Sequence, residues 1–174
     1  MVQELDIPGY KITGEISRSS GKVWAKAIST DEDTPVLLKI VEYADGASIE
    51  TARMRREVSI MEQYSADAIL KPYKLLNLKN AIVLVMEDFG ASTLHDLAPR
   101  FPLPTNVFLQ VSLTLTTAVA ELHMRGITHS LLHPGIILFS PDGNHIKITD
   151  LESASLLTDE FTGFINLQIG RAHV

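Results

Sequence analysis

The residues of this chain that could bind an anionic ligand lie far apart in the sequence. Lys39 lies within the apolar run 35–41, and Glu57 follows it 18 residues later. The two could form an ion pair between neighbouring elements, or each could be a solvated surface residue. Gly14 and Gly21 flank a polar segment, and glycine lets backbone N–H groups approach a phosphate because it has no Cβ. Asp150 follows a short apolar run and could bind a cation or form a turn.

Hydrophobic periodicity predicts the elements that must position these side chains. The first half reads as strands 10–16, 23–28 and 35–41, a helix over 48–64, and strands 70–78 and 81–87. The second half reads as helices over 94–98 and 105–125 and strands 136–139 and 146–149. Pro72 places its strand at an edge, because proline cannot donate to a ladder. Gly126 follows the long helix where a left-handed residue belongs.

Composition excludes several classes of function. The chain has 174 residues, a net charge of −6, no cysteine and no run of basic residues. These features argue against nucleic acid or an anionic membrane as the main partner and exclude thiolate chemistry. The N-terminus lacks the pattern of a signal peptide, and we expect a cytoplasmic protein. The nearly uncharged stretch over 103–120 contains several polar residues, which favours a buried helix over a membrane span.

The order of elements and one motif resemble a protein kinase. The segment HSLLHPGIIL, residues 129–138, aligns without a gap onto the kinase catalytic loop HRDLKPxNIL. The residues that match are His129, Leu132, Pro134, Ile137 and Leu138. Asp150-Leu151-Glu152 follows where the family has D-F-G. The resemblance implies an α+β kinase fold, with an N-lobe over about 7–87, a hinge over 88–90 and the first part of a C-lobe over 91–168.

The resemblance also implies which residues would contact ATP and Mg²⁺. Lys39 resembles the lysine that neutralises phosphate charge, and Glu57 resembles its helix partner. The segment 14–23 resembles a degenerate glycine-rich loop. Met86 would be the gatekeeper, and the backbone of Glu87 and Phe89 would face the adenine. The implied nucleotide-site residues are Gly14, Gly21, Val23, Lys39, Glu57, Met86, Glu87, Phe89 and Asp150, with Asp150 as the metal ligand.

The matched catalytic loop keeps its scaffold and changes its chemical residues. Leu131 stands where the family has the aspartate that accepts the substrate proton, and Ile136 where it has a magnesium-binding asparagine. His133 replaces a phosphate-contacting lysine, Ser130 an arginine, and Glu152 the glycine of D-F-G. Hydrocarbon side chains can neither accept a proton nor bind magnesium. We therefore expect a pseudokinase in which binding of ATP and Mg²⁺ is weak or absent.

Three hypotheses follow for the function. The first is a regulatory or interaction module, and the second is an atypical serine/threonine kinase with slow activity through Lys39 and Asp150. The third is a decaying gene product without a function of its own. The segments 7–10, 70–73 and 85–90 look like the kinase domain of large multidomain proteins that also carry an ATPase region, a GAF domain and a histidine kinase. The expected partners are then the other domains of such a chain and other signalling proteins.

The end of the chain carries two further expectations. Residues 169–174 read as the translation of a sequencing adapter, and we expect the natural protein to continue past Gln168. A kinase domain interrupted there would lack helices that cover the segment 105–125. We expect the resulting apolar patch to make the isolated chain poorly soluble.

Overall fold

The computed structural model describes residues 6–19, 21–43, 48–90, 92–96, 102–140 and 142–157. The predicted boundary at residue 168 and the segment 169–174 lie outside these ranges. The described part contains a five-stranded antiparallel sheet with one helix, followed by a part with a longer helix and short strands. The arrangement is α+β, as expected, and the sheet with its helix is consistent with the N-lobe of a kinase.

The sheet has the strand order β1-β2-β3-β5-β4. Its strands are β1 (Tyr10–Ser19), β2 (Lys22–Ser29), β3 (Pro35–Glu42), β4 (Pro72–Asn77) and β5 (Ala81–Glu87). The central strands β3 and β5 are buried along almost their whole length. This burial explains why their sequences read as continuous apolar runs rather than as alternating ones. β4 forms one edge of the sheet, where Pro72 costs no ladder hydrogen bond.

Helix α1 (Ser48–Gln63) packs on one face of this sheet. Its buried residues Met54, Ile60 and Met61 join an apolar cluster that includes Leu84 of β5. The same cluster continues into the second part of the chain through residues such as Leu122. One continuous core therefore holds the sheet, α1 and the following elements together.

The second part is built around helix α2 (Thr105–Met124). The short strands are β6 (Ser92–Thr93), β7 (Ile127–Thr128), β8 (Ile137–Phe139), β9 (Ile146–Ile148) and β10 (Ser155–Leu156). β6, β8 and β9 form one small sheet, and β7 pairs with β10. A 3₁₀ turn, Pro134–Ile136, precedes β8, and another, Leu151–Ser153, follows β9.

One backbone hydrogen bond and one ion pair join the two parts of the chain. The N–H of Ile148 in β9 donates to the carbonyl of Ala68 at 2.7 Å. Lys147, also in β9, pairs with Glu87 at the end of β5 at 2.8 Å. These contacts fix β9, and with it the segment that follows, relative to the five-stranded sheet.

Several element boundaries differ from those expected from the sequence. β1 extends to Ser19, so most of the predicted hairpin loop is paired strand. Ile136 belongs to a 3₁₀ turn rather than to a strand. Residues 94–96 form a 3₁₀ turn, and the rest of the predicted 94–98 helix lies outside the described residues. Gly126 has φ +74°, which confirms the left-handed residue predicted after α2.

Helix α2 is long and apolar enough to cross a membrane, with a mean hydropathy of 1.3 over its most apolar window. Length and composition alone are weak evidence, because core helices of soluble proteins can be equally long and apolar. Val111, Ala118 and Leu122 of this helix are buried in the protein core. Phe108, expected on the apolar face, is 55% exposed.

Candidate functional site

The register of β2 and β3 decides which side chains face the site. Trp24 pairs with Lys39, whereas Val23 pairs with Ile40. Directly opposite residues point to the same face of a sheet, and neighbours along a strand point to opposite faces. Val23 therefore lies on the face away from Lys39, in a separate apolar cluster. This placement corrects the expectation that Val23 contacts the nucleotide, and Trp24 takes the place beside Lys39.

Lys39 is fully buried and lies among three carboxylates. Its Nζ is 2.6 Å from Oε2 of Glu57 and 3.5 Å from Oε2 of Glu152, and it also donates to Asp150. The ring centroid of Trp24 is 5.8 Å from the same nitrogen. The structure thus brings together Lys39, Glu57 and Asp150, as the resemblance implied, and adds Glu152 to them.

Two hydrogen bonds hold α1 in the position that makes this cluster. Oε1 of Glu57 accepts from the N–H of Leu151 at 3.2 Å. Arg56, the residue directly before Glu57, donates to the carbonyl of Ala154 at 2.7 Å. The helix is therefore docked on the segment 151–154, and its Glu57 bridges that segment to β3.

Asp150 has a left-handed backbone, with φ 65° and ψ 41°. Aspartate adopts this conformation more readily than most residues with a Cβ. The conformation ends the short strand β9 and begins the 3₁₀ turn Leu151–Ser153. Asp150 is thus a turn-forming residue, one of the two interpretations that the sequence left open, and it also pairs with Lys39.

Burial and charge act in opposite directions on these groups. Burial disfavours the charged form of Lys39, but the carboxylates of Glu57 and Asp150 outweigh it and raise the pKa of Lys39. Burial alone would raise the pKa of Asp150, yet the charge and hydrogen bond of Lys39 lower that pKa below its usual value. Both residues are therefore charged at neutral pH, and the lysine charge is shared among its carboxylate partners.

Lys22 is a second cation of the site, and the sequence did not single it out. It lies at the start of β2 on the Lys39 face of the sheet, where its partner in β3 is Val41. Its Nζ pairs with Oε1 of Glu152 and lies 3.6 Å from Oδ2 of Asp150. The only sequence signal was its position directly after Gly21, beside the segment that resembles a glycine-rich loop.

The catalytic-loop segment keeps its backbone connections. Nε2 of His129 lies 2.8 Å from the carbonyl of Thr149, and Thr149 in turn bonds to the carbonyl of Ile136. His133 accepts a hydrogen bond from the N–H of Gly135 at 3.2 Å. These bonds tie the loop to the end of β9 and so position it next to Asp150.

Two of the replaced positions of this loop, Leu131 and Ile136, have opposite environments. Leu131 is 63% exposed and lines a cleft of about 380 Å³ together with Lys22, Asp150 and Glu152. Ile136 is 4% exposed and belongs to the main apolar cluster. An apolar group thus faces the cleft at one position and is packed into the core at the other.

The hinge residues are placed as follows. Met86 is fully buried and pairs with Leu37, on the same face of the sheet as Lys39. The N–H of Glu87 donates to the carbonyl of Lys71 at 3.0 Å, so this donor is already used within the protein. Phe89 is half-buried against the core, and its ring centroid lies 5.9 Å from Nζ of Lys147.

The two glycines of the first hairpin differ. Gly21 has φ +79°, in the left-handed region that favours glycine, and Gly14 does not. Gly14 lies within β1, and a Cβ added there would meet nothing within 4 Å. Only Gly21 is therefore required by the local backbone.

Protein kinases use ATP with two magnesium ions, held by an aspartate and an asparagine. The side chains here fit that arrangement only in part. Asp150 and Glu152, with Glu57, offer carboxylate oxygens within 4.8 Å of one another, which is compatible with one divalent cation. Ile136 supplies no oxygen ligand and is buried. The residues present therefore do not fit a second metal ion held as in active kinases.

Three features together define a kinase-type domain. They are a five-stranded sheet, a sheet lysine that pairs with a glutamate of the following helix, and an aspartate after β9 that contacts the same lysine. The protein kinase domain family matches residues 14–167 of this chain. The chain belongs to the protein kinase domain family.

Individual relatives are distant and are longer than this chain. A carbon catabolite-derepressing protein kinase of Candida tropicalis is 27% identical over 153 residues, which cover 86% of this chain and 24% of the relative. The serine/threonine-protein kinase kin-29 of Caenorhabditis elegans is 28% identical over 138 residues, which cover 79% of this chain and 15% of the relative. CBL-interacting serine/threonine-protein kinase 18 of Arabidopsis thaliana is 28% identical over 99 residues, which cover 57% of this chain and 19% of the relative. The chain spans about a quarter or less of these relatives.

Proposed function

We propose that this protein kinase domain is a pseudokinase that acts as a regulatory or interaction module of a signalling protein. The observation that carries the proposal is the chemistry of two positions in the catalytic loop. Leu131 faces the cleft and cannot accept a proton, and Ile136 is buried and cannot bind magnesium. Loss of a positioned base costs about 10²–10⁴ in rate. In this proposal the kinase fold persists as a binding platform after its reaction is lost.

The module would act within the cytoplasm on other domains of a multidomain signalling chain or on separate signalling proteins. The docked state of α1 supports a platform of fixed shape. Glu57 and Arg56 both bond to the segment 151–154, so contacts within the protein hold the helix on that segment. A surface with a single arrangement can be recognised by a partner without first being ordered.

A slow serine/threonine kinase is the second candidate, and one observation favours it. The Lys39–Glu57 ion pair that protein kinases need is formed at 2.6 Å. Asp150 also lies beside the cleft. In this candidate these residues would hold a nucleotide with one metal ion, and transfer would proceed without a positioned base.

Radiolabelled phosphotransfer separates the two candidates. The wild-type chain, Lys39→Met and Leu131→Asp are incubated with γ-labelled ATP, magnesium and myelin basic protein. We expect wild-type incorporation equal to that of Lys39→Met. Incorporation by the wild type that Lys39→Met abolishes would overturn the pseudokinase proposal. Leu131→Asn is the matched control for Leu131→Asp, since it is polar and of similar size but is not a base.

A further inference from the structure

We propose that Glu152 is a built-in competitor of nucleotide phosphates, which pairs with Lys22 in the cleft and with the buried Lys39 behind it and thereby suppresses ATP binding. This inference deepens the proposed function, because it explains how the domain would keep its fold while binding nucleotide weakly. It concerns affinity and not turnover, so it can be tested separately from phosphotransfer.

The geometry of the contact is that of a bridge between the two parts of the domain. Lys22 begins β2 on the sheet, and Glu152 lies in the 3₁₀ turn after β9. One oxygen of the Glu152 carboxylate pairs with Lys22, and the other lies 3.5 Å from Nζ of Lys39. A single carboxylate therefore contacts both lysines at once, as an oxygen pair of a phosphate could.

The charges of the cluster oppose a bound polyphosphate. Counted formally, with every group ionised, Lys22 and Lys39 supply two positive charges and Glu57, Asp150 and Glu152 supply three negative ones, which leaves a formal net charge of −1. An anion that enters must displace a carboxylate from a lysine or share that lysine with it. Like charges at such separations disfavour the complex.

The bridge can open, because it lies at the wall of a cleft and not in the core. Lys22 and Glu152 both line the cleft of about 380 Å³ that also contains Asp150 and Leu131. Side-chain exposure is 28% for Lys22 and 12% for Glu152, whereas Lys39 and Glu57 are essentially inaccessible. Substitution of Glu152 should therefore change the cleft while the Lys39–Glu57 pair persists.

Removal of the Glu152 charge should make the cluster neutral and release Lys22. ATP would bind the state in which Glu152 has released Lys22. If that state is populated at about 0.1–10%, the apparent dissociation constant for ATP equals the intrinsic one divided by that fraction. We therefore expect Glu152→Gln to tighten ATP binding at least about tenfold. The same change should leave adenosine binding unaffected, because adenosine has no phosphate to compete.

The experiment titrates the full chain with ATP and with adenosine, each with and without magnesium, by calorimetry. The variants are Glu152→Gln, Lys22→Gln and their combination, with Glu62→Gln as the matched control. Glu62 is an exposed glutamate on α1 and loses the same charge outside the cleft. We expect tighter ATP binding for Glu152→Gln alone, and loss of that gain when Lys22→Gln is added.

Three outcomes would overturn the proposal. One is an ATP affinity of Glu152→Gln equal to that of the wild type, and another is an equal gain for Glu62→Gln. The third is a wild-type affinity for ATP that is much higher than its affinity for adenosine. This outcome needs no variant, so it applies even if Glu152→Gln does not fold. None of these results depends on phosphotransfer, so the proposed pseudokinase function could fail or survive independently of them.

Discussion

Lys39 and Glu57 form a fully buried ion pair with 2.6 Å between Nζ and Oε2. The pair joins the centre of the sheet to α1, and Glu57 also accepts a hydrogen bond from Leu151 at 3.2 Å. Every buried side-chain nitrogen and oxygen in the described part of the chain has a hydrogen-bond partner. The polar cluster around Lys39 and Glu57 is therefore part of the folded core, independently of any role in binding a ligand.

Loss of the lysine charge should destabilise the domain. Lys39→Met leaves Glu57 buried beside other carboxylates, and breaking a buried pair in this way costs about 3–5 kcal/mol. Urea denaturation measures the change in the free energy of unfolding. The control Lys79→Met removes a lysine from the exposed β4–β5 turn and should change stability by about 0.5 kcal/mol or less. Equal stability of the two variants would contradict the buried pair.

Asp150 should stabilise the folded state at neutral pH and lose that effect in acid. Its folded pKa lies below the unfolded value of 3.8, because Lys39 outweighs the effect of burial. The folded state therefore favours the ionised form, and the stabilisation is present above pH 3.8 and declines as pH falls through the folded pKa.

Asp150→Asn tests this dependence, because asparagine also tolerates a left-handed backbone. Urea denaturation of both proteins should show a stability difference at pH 7 that shrinks as the pH is lowered below 4. A difference that is independent of pH would contradict the ion pair between Asp150 and Lys39.

Gly126 should be sensitive to substitution, whereas Gly14 should not be. Gly126 has φ +74°, and an added Cβ would lie 3.4 Å from the carbonyl oxygen of Leu157. Gly126→Ala should cost about 1 kcal/mol or more, because alanine resists positive φ. Gly14→Ala, with open space and no positive φ, should change stability by less than about 0.5 kcal/mol. Thermal denaturation of the two variants compares them directly.

The outer face of α2 should control solubility without controlling stability. Leu109 and Leu113 are 59% and 71% exposed. The double variant Leu109→Gln/Leu113→Gln should increase the soluble fraction and reduce binding of an apolar dye, because the exposed patch becomes polar. Leu122→Ala is the contrasting variant, since Leu122 is 1% exposed and its truncation should cost about 2–5 kcal/mol. A large loss of stability in the double variant would contradict the exposed face.

Much of the fold could be predicted because the central elements have strong periodic patterns. β3 and β5 read as continuous apolar runs, and α2 has a helical repeat that ends at Gly126. The partnership of Lys39 and Glu57 was also predictable, because a lysine on a central strand and a glutamate on the next helix match the kinase arrangement. Each of these predictions depends on a pattern contained within one or two neighbouring elements.

The rest depends on register and on contacts between distant residues. A shift of one residue in a strand moves every side chain to the other face. The resemblance implied Val23 as a nucleotide-site residue, but the register places Trp24, and not Val23, opposite Lys39. The bridge between Lys22 and Glu152 joins residues that are 130 positions apart, and no local sequence pattern predicts such a contact.

The central claim is that the domain keeps the kinase fold without its reaction, because Leu131 and Ile136 replace the residues that move a proton and bind magnesium. The most direct test follows Mg-ATP by ³¹P NMR for several hours in the presence of the wild-type chain or Lys39→Met. We predict that the γ-phosphate signal decays at the same rate in both samples and in buffer alone. Faster decay with the wild type, abolished by Lys39→Met, would contradict the account.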